Sequence, residues 1–156
     1  MSEMYSPPRV TKELRASQHN YKHLLPGFAF DLTANDLEDG LPWDFSRRVK
    51  RERARNLIRE QRPYMLIGSP ACTAYSTCQA LNEAKSTDLD AVYAARRQAK
   101  VHMDFMISLY REQVAAGRYF LHEHPRHATS WRLRNMEDSM AMGGVVLVEG
   151  DQCQFG

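Results

Sequence analysis

The sequence has few cysteines and no long apolar run, and these two features exclude several classes of protein. Its 156 residues include only three cysteines, Cys72, Cys78 and Cys153, too few for a disulfide-stabilised scaffold. Because the odd count leaves at least one thiol unpaired, we expect an intracellular, reducing environment. No apolar run approaches the roughly 20 residues that span a membrane, and residues 1–10 lack the basic-then-apolar pattern of a secretory signal. We therefore expect no membrane partner.

Net charge is also small, at +2, so it indicates no partner by itself. The charges are unevenly distributed, however. Residues 47–62 hold eight basic and two acidic residues, whereas residues 31–44 hold five acidic residues and no basic one. Four arginines follow one another at intervals of four and so share one helical face: Arg47, Arg51, Arg55 and Arg59. A solvated face and a nucleic-acid-binding surface are both open as interpretations of this arginine stripe.

Apolar runs alternate with helical patterns along the chain. Strands are predicted at Phe28–Leu32, Tyr64–Gly68, Arg118–Glu123 and Val145–Glu149, and helices from an N-cap at Ser46 to Gln61, from about Thr87 to Ala116, and from about Ser130 to Met140. Met4 and Tyr5 are expected to begin an edge strand that Pro7 and Pro8 stop. This alternation predicts an α/β fold, a three-layer sandwich with a mainly parallel sheet. We expect one domain over residues 1–156, least regular in residues 1–27.

The longest predicted helix carries an apolar face with the 3–4 spacing of a buried stripe. We expect the following residues to form part of the core: Val92, Ala95, Ala99, Met103, Met106, Tyr110 and Val114. A methionine-lined ligand groove is the alternative interpretation of this stripe. Asp88 and Asp90 lie in its first turn and Gly117 is the expected C-terminal stop.

Two predicted strands end in reactive side chains. Cys72 follows the strand Tyr64–Gly68 on a Gly-Ser-Pro turn, and Glu123 ends the strand after the long helix. Ligands of open α/β sheets bind at the carboxyl ends of the strands. A positive charge or a helix N-terminus nearby would make Cys72 a thiolate nucleophile. A small buried cysteine without chemistry is the other interpretation, and it is the one we adopt for Cys78 and Cys153.

Three histidines surround Glu123, and they raise the question of a metal site. His122 and His124 point to one face of a continuing strand and Glu123 to the other, whereas zinc or iron needs three or four convergent ligands. We therefore expect no metal. Two interpretations remain. The histidines are hydrogen-bonded at the end of the strand, or Glu123 is a buried, catalytic carboxylate.

Several segments resemble the DNA cytosine-carbon-5 methyltransferases. Ile67–Ser76 is similar to that family's nucleophile motif, in which a hydrophobic strand leads into Gly-x-Pro-Pro-Cys-Gln-Gly-Phe-Ser, and Leu121–Pro125 is similar to its Glu-Asn-Val segment. Ala71 and Thr73 replace the residues on either side of the family's cysteine. The family's first motif is aromatic-x-Gly-x-Gly, whereas Tyr5–Arg9 has the aromatic residue and two prolines.

The resemblance implies a Rossmann-like methyltransferase fold and a division of chemical roles. Cys72 would be the nucleophile that adds to cytosine, and Glu123 the acid that activates the base. The base would be flipped out of DNA and the arginine stripe would contact phosphates. S-adenosylmethionine would be the cofactor. The positions implied for its binding are Tyr5, Asp31, Asp44 and Pro70, with Asp31 at the ribose and Asp44 at the adenine.

A second resemblance is to an uncharacterised domain of retroelement-type polyproteins. It rests on Tyr5–Val10, Gly117–Pro125 and Gly150–Cys153, and it implies one segment of a longer chain. Three functions are therefore open: a cytosine methyltransferase-like domain, active or inactive; a non-catalytic nucleic-acid-binding module; and a thiol hydrolase that pairs Cys72 with His122 or His124. DNA is the favoured partner, and the sequence does not determine the oligomeric state.

Overall fold

A parallel sheet lies at the centre of the structure, with its first strand between two others. The computed structural model describes residues 1–79, 83, 85–86 and 88–151. The strands are β1 (Ser2–Met4), β2 (Ala29–Phe30), β3 (Met65–Gly68) and β4 (Tyr119–His122). Their order is β2-β1-β3-β4 and every pairing is parallel. The predicted α/β class and parallel sheet are confirmed.

Helices connect and cover these strands. They are α1 (Val10–Ala16), α2 (Arg48–Gln61), α3 (Leu89–Ala115) and α4 (Arg134–Met140), with short 3-10 helices at Thr73–Tyr75 and Thr129–Arg132. At the start of α3, the Asp88 side chain accepts a hydrogen bond from the Ala91 amide at 2.9 Å. The predicted stop after α3 is confirmed, because Gly117 adopts a φ of +67° that favours glycine.

The N-cap predicted at Ser46 is wrong. Arg47 occupies that position and no side chain caps α2. The Ser46 amide instead donates to the Asp44 carboxylate at 2.9 Å.

The two faces of the sheet are covered unequally. On one face, Met4, Leu66 and Phe120 pack in the core that α2, α3 and α4 close. On the other face, the carboxylate of Glu3 accepts hydrogen bonds from the first turn of α1. In register with Glu3 and Ile67, Leu121 is 49% exposed. Helices therefore lie on both faces, but α1 does not reach across to β4.

Gly68 allows α3 to approach the end of β3 closely. A Cβ at this position would overlap the Tyr110 hydroxyl and the Met106 methyl group. The Tyr110 hydroxyl donates to the Gly68 carbonyl at 3.3 Å. Glycine is needed here because of this contact, and the contact anchors α3 at the point where the loop that carries Cys72 begins.

Two strand predictions are wrong. The edge strand expected at Met4 and Tyr5 is the inner strand β1, because Pro7 and Pro8 lie beyond its last paired residue and remove no ladder hydrogen bond. The strand expected at Val145–Glu149 does not form. Val146 and Val148 there are 80% exposed and pair with no other strand, and β propensity without a neighbouring strand does not make a sheet.

The apolar stripe of α3 is buried only in its second half. Met103, Met106 and Tyr110 lie in the core as predicted, but Ala95 is exposed. The first half of α3 is covered only in part by the described residues: Val92 and Ala99 are half-buried, and Ala99 packs against the core. Neither α3 nor any other helix in the described ranges is long and apolar enough to cross a membrane.

A buried ion cluster ties the acidic loop to α2. The Lys50 ammonium donates to Asp36 at 3.0 Å and to Asp39 at 2.7 Å, and Arg53 donates to Asp36 at 2.6 Å. Burial alone would raise the pKa of Asp36, but the hydrogen bonds from Arg53 and Lys50 lower it to about 2. The Lys50 ammonium also lies 5.0 Å from the centroid of the Trp43 ring. The cluster therefore fixes the loop between β2 and α2, which carries Asp31 and Asp44.

We predict that Asp36→Asn lowers the free energy of unfolding by about 3 kcal/mol, because the Lys50 charge then loses its buried partner. Urea denaturation measures this loss. Glu52→Gln is the matched control: it breaks the exposed pair with Arg48 and should change stability by less than about 0.5 kcal/mol. Equal effects of the two substitutions would contradict a structural role for the cluster.

Candidate functional site

A cavity of about 320 Å³ lies at the carboxyl ends of β1, β2 and β3. The chain runs from β1 to β2 on one side and then to β3 on the other, so the strand order reverses between β1 and β3. Open α/β sheets bind ligands at such a reversal. The side chains around the cavity come from all three strand ends and from α3: Tyr5, Asp31, Leu32, Trp43, Asp44, Phe45, Ser46, Ser69, Ala71, Gln98 and His102.

Three of the four residues expected to bind a cofactor line this cavity. Tyr5 follows β1, Asp31 follows β2, and Asp44 lies at the end of the acidic loop. Pro70 does not line it, although its neighbours Ser69 and Ala71 do. Pro70 is buried, and its carbonyl is turned towards the end of β4.

The two carboxylates are oriented by their own loops. One oxygen of Asp31 accepts from the Thr33 amide at 2.9 Å and the Thr33 hydroxyl at 2.8 Å. Its other oxygen has no partner among the described residues. Hydrogen bonds from Ser46 lower the pKa of Asp44. The cavity therefore presents two carboxylates, which suit hydroxyl groups and cationic groups of a ligand.

Tyr5 pairs in the cavity wall with His102, a residue that the sequence did not single out. The Tyr5 hydroxyl and His102 Nδ1 are 2.8 Å apart. Burial raises the pKa of Tyr5 and, together with the charge of Arg51, lowers the pKa of His102. Tyr5 itself has a φ of 59°, an uncommon conformation that in side chains other than glycine often marks a functional site. The sequence signal for His102 as a site residue is Gln98, a second polar side chain four residues earlier on the same helical face.

The first turn of α1 is occupied by the protein's own carboxylate. One oxygen of Glu3 accepts from the Thr11 amide and hydroxyl, both at 2.7 Å, and the other from the Val10 amide at 3.2 Å. These amides are the groups that hold phosphate in many nucleotide-binding folds. A ligand at the end of β1 therefore finds no free phosphate cradle at α1.

Cys72 lies in a loop that is held at its first residue. The Ser69 amide donates to the Met4 carbonyl at 3.2 Å, which joins the loop to β1. Cys72 is half-buried and precedes the 3-10 helix Thr73–Tyr75, whose Tyr75 amide donates to the Cys72 carbonyl at 2.9 Å. Cys78 is exposed, and Cys153 lies outside the described residues.

His124 links the Cys72 loop to the end of β4. Its Nε2 lies 2.9 Å from the Pro70 carbonyl, and its Nδ1 lies 2.6 Å from the Ser130 hydroxyl. Because a carbonyl can only accept, Nε2 donates to Pro70. Burial lowers the pKa of His124, which favours the neutral ring, in which Nδ1 accepts from the Ser130 hydroxyl. The bond to Pro70 holds the loop two residues before Cys72.

Glu123 lies on the strand next to the Cys72 loop, but it is not buried. Its amide donates to the Gly68 carbonyl at 3.0 Å, which fixes its backbone beside the end of β3. Its side chain is exposed and has no hydrogen-bond partner among the described residues. The expectation of a buried carboxylate is wrong, because β4 is the last strand of the sheet and no element in the described ranges covers this side chain. The carboxylate is accessible to a ligand.

The histidines at the end of β4 form a packed aromatic cluster. His122 Nδ1 lies 3.0 Å from the Tyr110 hydroxyl, and the ring meets Trp131 edge-on with centroids 5.4 Å apart. Burial, and then the neighbouring His124, lower the pKa of His122 to about 3. His122 Nε2 is buried without a hydrogen-bond partner. Within the described ranges, no group of three or more His, Cys, Asp or Glu side chains is placed to hold a metal ion.

The arginine stripe does not form a free row of charges. Arg55 and Arg59 both donate to the carboxylate of Glu112 on α3, and Arg51 donates to the Phe45 and Ser46 carbonyls at 2.7 and 2.8 Å. The second half of the stripe thus contacts α3, a contact that local sequence cannot show. Only its first member, Arg47, is exposed without an ion pair to the described residues.

Comparison of the chain with models of known protein families, with curated proteins and with solved structures gives no match.

We predict that stability falls as pH drops from about 6.5 towards 3, because the unfolded chain then binds protons that the buried His122 does not. The folded pKa is depressed, so the stabilising contribution is present above the unfolded pKa and is lost on acidification. Urea denaturation at neutral and mildly acidic pH measures this. His122→Gln should reduce the dependence, whereas His23→Gln at an exposed position should leave it unchanged. The same pH dependence in all three proteins would contradict the assignment.

Proposed function

We propose that the chain is a Rossmann-like methyltransferase domain that uses S-adenosylmethionine and acts on cytosine in nucleic acid, with DNA the favoured substrate. The observation that carries the proposal is the cavity at the strand-order reversal, with Tyr5, Asp31 and Asp44 on its walls and the Cys72 loop at its rim. These four residues are the ones to which the resemblance to the cytosine methyltransferases gives roles in cofactor binding and in nucleophilic attack.

The cavity fits an adenosyl ligand in size and chemistry. Its volume of about 320 Å³ is near the lower end of the usual range for small-molecule sites. The unpartnered oxygen of Asp31 suits ribose hydroxyls, and the two carboxylates suit a ligand with sulfonium and ammonium groups. Glu3 occupies the amides of α1, which disfavours a dinucleotide with its phosphates. A ligand without phosphate is therefore the better match.

The residues at the rim would perform the chemistry on the base. When bound, S-adenosylmethionine would supply an electrophilic methyl group to carbon 5 of the base and leave as S-adenosylhomocysteine. The Cys72 thiolate would add to carbon 6 of cytosine, which makes carbon 5 nucleophilic. The exposed Glu123 carboxyl group would hydrogen-bond to the ring nitrogen and the exocyclic amino group and favour that addition. Loss of the carbon 5 proton and departure of the thiolate would then regenerate Cys72.

His124 has a positioning role in this proposal. Through Pro70 it holds the Cys72 loop against the strand that carries Glu123. A nucleophile and an acid must keep a fixed separation to act on opposite sides of one base.

A non-catalytic nucleic-acid-binding module is the second candidate. Arg47 favours it, because that side chain is exposed and forms no ion pair to the described residues. The third candidate, a thiol hydrolase, has less support. Such an enzyme needs a histidine nitrogen bonded to the thiol. Both nitrogens of His124 are engaged elsewhere, and in His122 Nδ1 bonds to Tyr110 while the buried Nε2 makes no hydrogen bond to Cys72.

We predict that S-adenosylhomocysteine binds the chain and that Asp31→Ala weakens this binding about 10- to 100-fold, the usual effect of losing hydrogen bonds to a charged group. Isothermal titration calorimetry measures both affinities. Thr33→Ala is the control, because it removes one contact that orients Asp31 and leaves the carboxylate, so its effect should be smaller. An absence of binding at millimolar ligand would refute the methyltransferase assignment.

A further inference from the structure

The first half of α3 lies at the carboxyl edge of the sheet and is only partly covered by the described residues. The helix continues directly into β4 through Gly117, so its last turn lies at the opposite edge and its first half lies beside the cavity. None of residues 89–102 is fully buried, and the first buried residue of α3 is Met103. Fourteen helical residues span about 21 Å. This overhang therefore forms a wall beside the candidate site.

A second cavity of about 440 Å³ lies between this wall and the start of α2. It is lined by Ser46, Ala94, Arg97, Gln98 and Val101, and Ser46 and Gln98 also line the first cavity. The two cavities are therefore neighbours. We call the first, at the strand ends, the inner cavity, and the second, against the overhang, the outer cavity.

The two cavities differ in the charged side chains beside them. The inner one presents Asp31 and Asp44. Among the described residues that line the outer one, the charged side chain is Arg97, and Arg47 directly follows the lining residue Ser46. Both arginines are exposed and form no ion pair with the part of the chain that the structure describes. An anion is the ligand that this outer cavity suits.

The overhang also offers an aromatic ring next to a free guanidinium group. Tyr93 is 49% exposed and precedes Arg97 by four residues, so the two side chains share a helical face. Guanidinium groups bind phosphate bidentately, and exposed aromatic rings stack on nucleobases. An acidic peptide would use the arginines but not the ring.

We infer that the outer cavity binds the sugar–phosphate backbone of a nucleic-acid strand, through Arg47 and Arg97, with a base stacked on Tyr93. The inference rests on the proposed function, in that the strand bound here is the one that presents its cytosine to Cys72. The inference places the nucleic-acid contact at Arg47 and Arg97 and not along the arginine stripe. Arg55 and Arg59 are engaged by Glu112, so Arg47 is the member of the stripe that takes part.

Fluorescence anisotropy with a labelled single-stranded oligonucleotide, over a series of salt concentrations, tests the inference. Arg47→Gln and Arg97→Gln should each weaken binding and reduce the slope of log affinity against log salt by about 0.7, the value for one lost phosphate contact on a single strand. Tyr93→Ala should weaken binding about 5- to 100-fold with an unchanged slope.

Two controls accompany these variants. Arg132→Gln removes an exposed arginine that has no ion pair to the described residues and does not border the cavity, and Arg55→Gln removes a member of the stripe that is already paired. Neither should change the salt slope. Unchanged affinity and slope in Arg47→Gln and Arg97→Gln would overturn the inference. Competition by polyglutamate as effective as that by unlabelled oligonucleotide would also overturn it.

The result is separable from that of the proposed function. Arginine-dependent binding without any binding of S-adenosylhomocysteine would support this surface and refute the methyltransferase assignment. If S-adenosylhomocysteine binds and the arginine variants bind the oligonucleotide as well as the unaltered chain does, the methyltransferase assignment is supported and this surface is refuted.

Discussion

The parallel pairing of β1 with both β2 and β3 is the constraint on which the candidate site depends. It brings the carboxyl ends of three strands to one edge, and it places the reversal of strand order between β1 and β3. Tyr5, Asp31 and Ser69 then surround one cavity although they are distant in sequence. Pairing of β4 with β3 adds Glu123 to the same edge. No single loop builds the site, because residues that follow three strands, the end of the acidic loop and α3 all contribute to its lining.

Side-chain hydrogen bonds hold the segments at this edge in fixed positions. His124 joins the loop after β3 to the end of β4, Glu3 occupies the amides of α1, and Lys50 with Asp36 fixes the acidic loop. Each of these groups is buried and charged or polar, so each has its partner inside the fold. The consequence for function is a site in which the backbone is held firmly, while Glu123, Arg47 and Arg97 stay exposed to a ligand.

Features that depend on local sequence could be predicted, and features that depend on distant pairing could not. The strand before Cys72, the strand before Glu123 and the glycine stop of α3 each follow from a short run of residues. The inner position of β1 depends on Leu66–Gly68 and Ala29–Phe30, which nothing near Met4 indicates. The partner of Arg55 and Arg59 is Glu112, more than 50 residues away. The prediction at Val145–Glu149 fails for the opposite reason. Its residues favour a strand locally, but none of the described strands pairs with it.

The central claim is that Cys72 attacks a cytosine in the presence of the cofactor, and covalent trapping tests it most directly. The chain is incubated with an oligonucleotide that contains 5-fluorocytosine and with S-adenosylmethionine, and the products are separated under denaturing conditions and weighed by mass spectrometry. Because fluorine at carbon 5 cannot leave as a proton does, the intermediate should persist as a covalent adduct at Cys72, and Cys72→Ser should form none. A chain that binds both S-adenosylhomocysteine and the oligonucleotide yet forms no adduct would contradict the account.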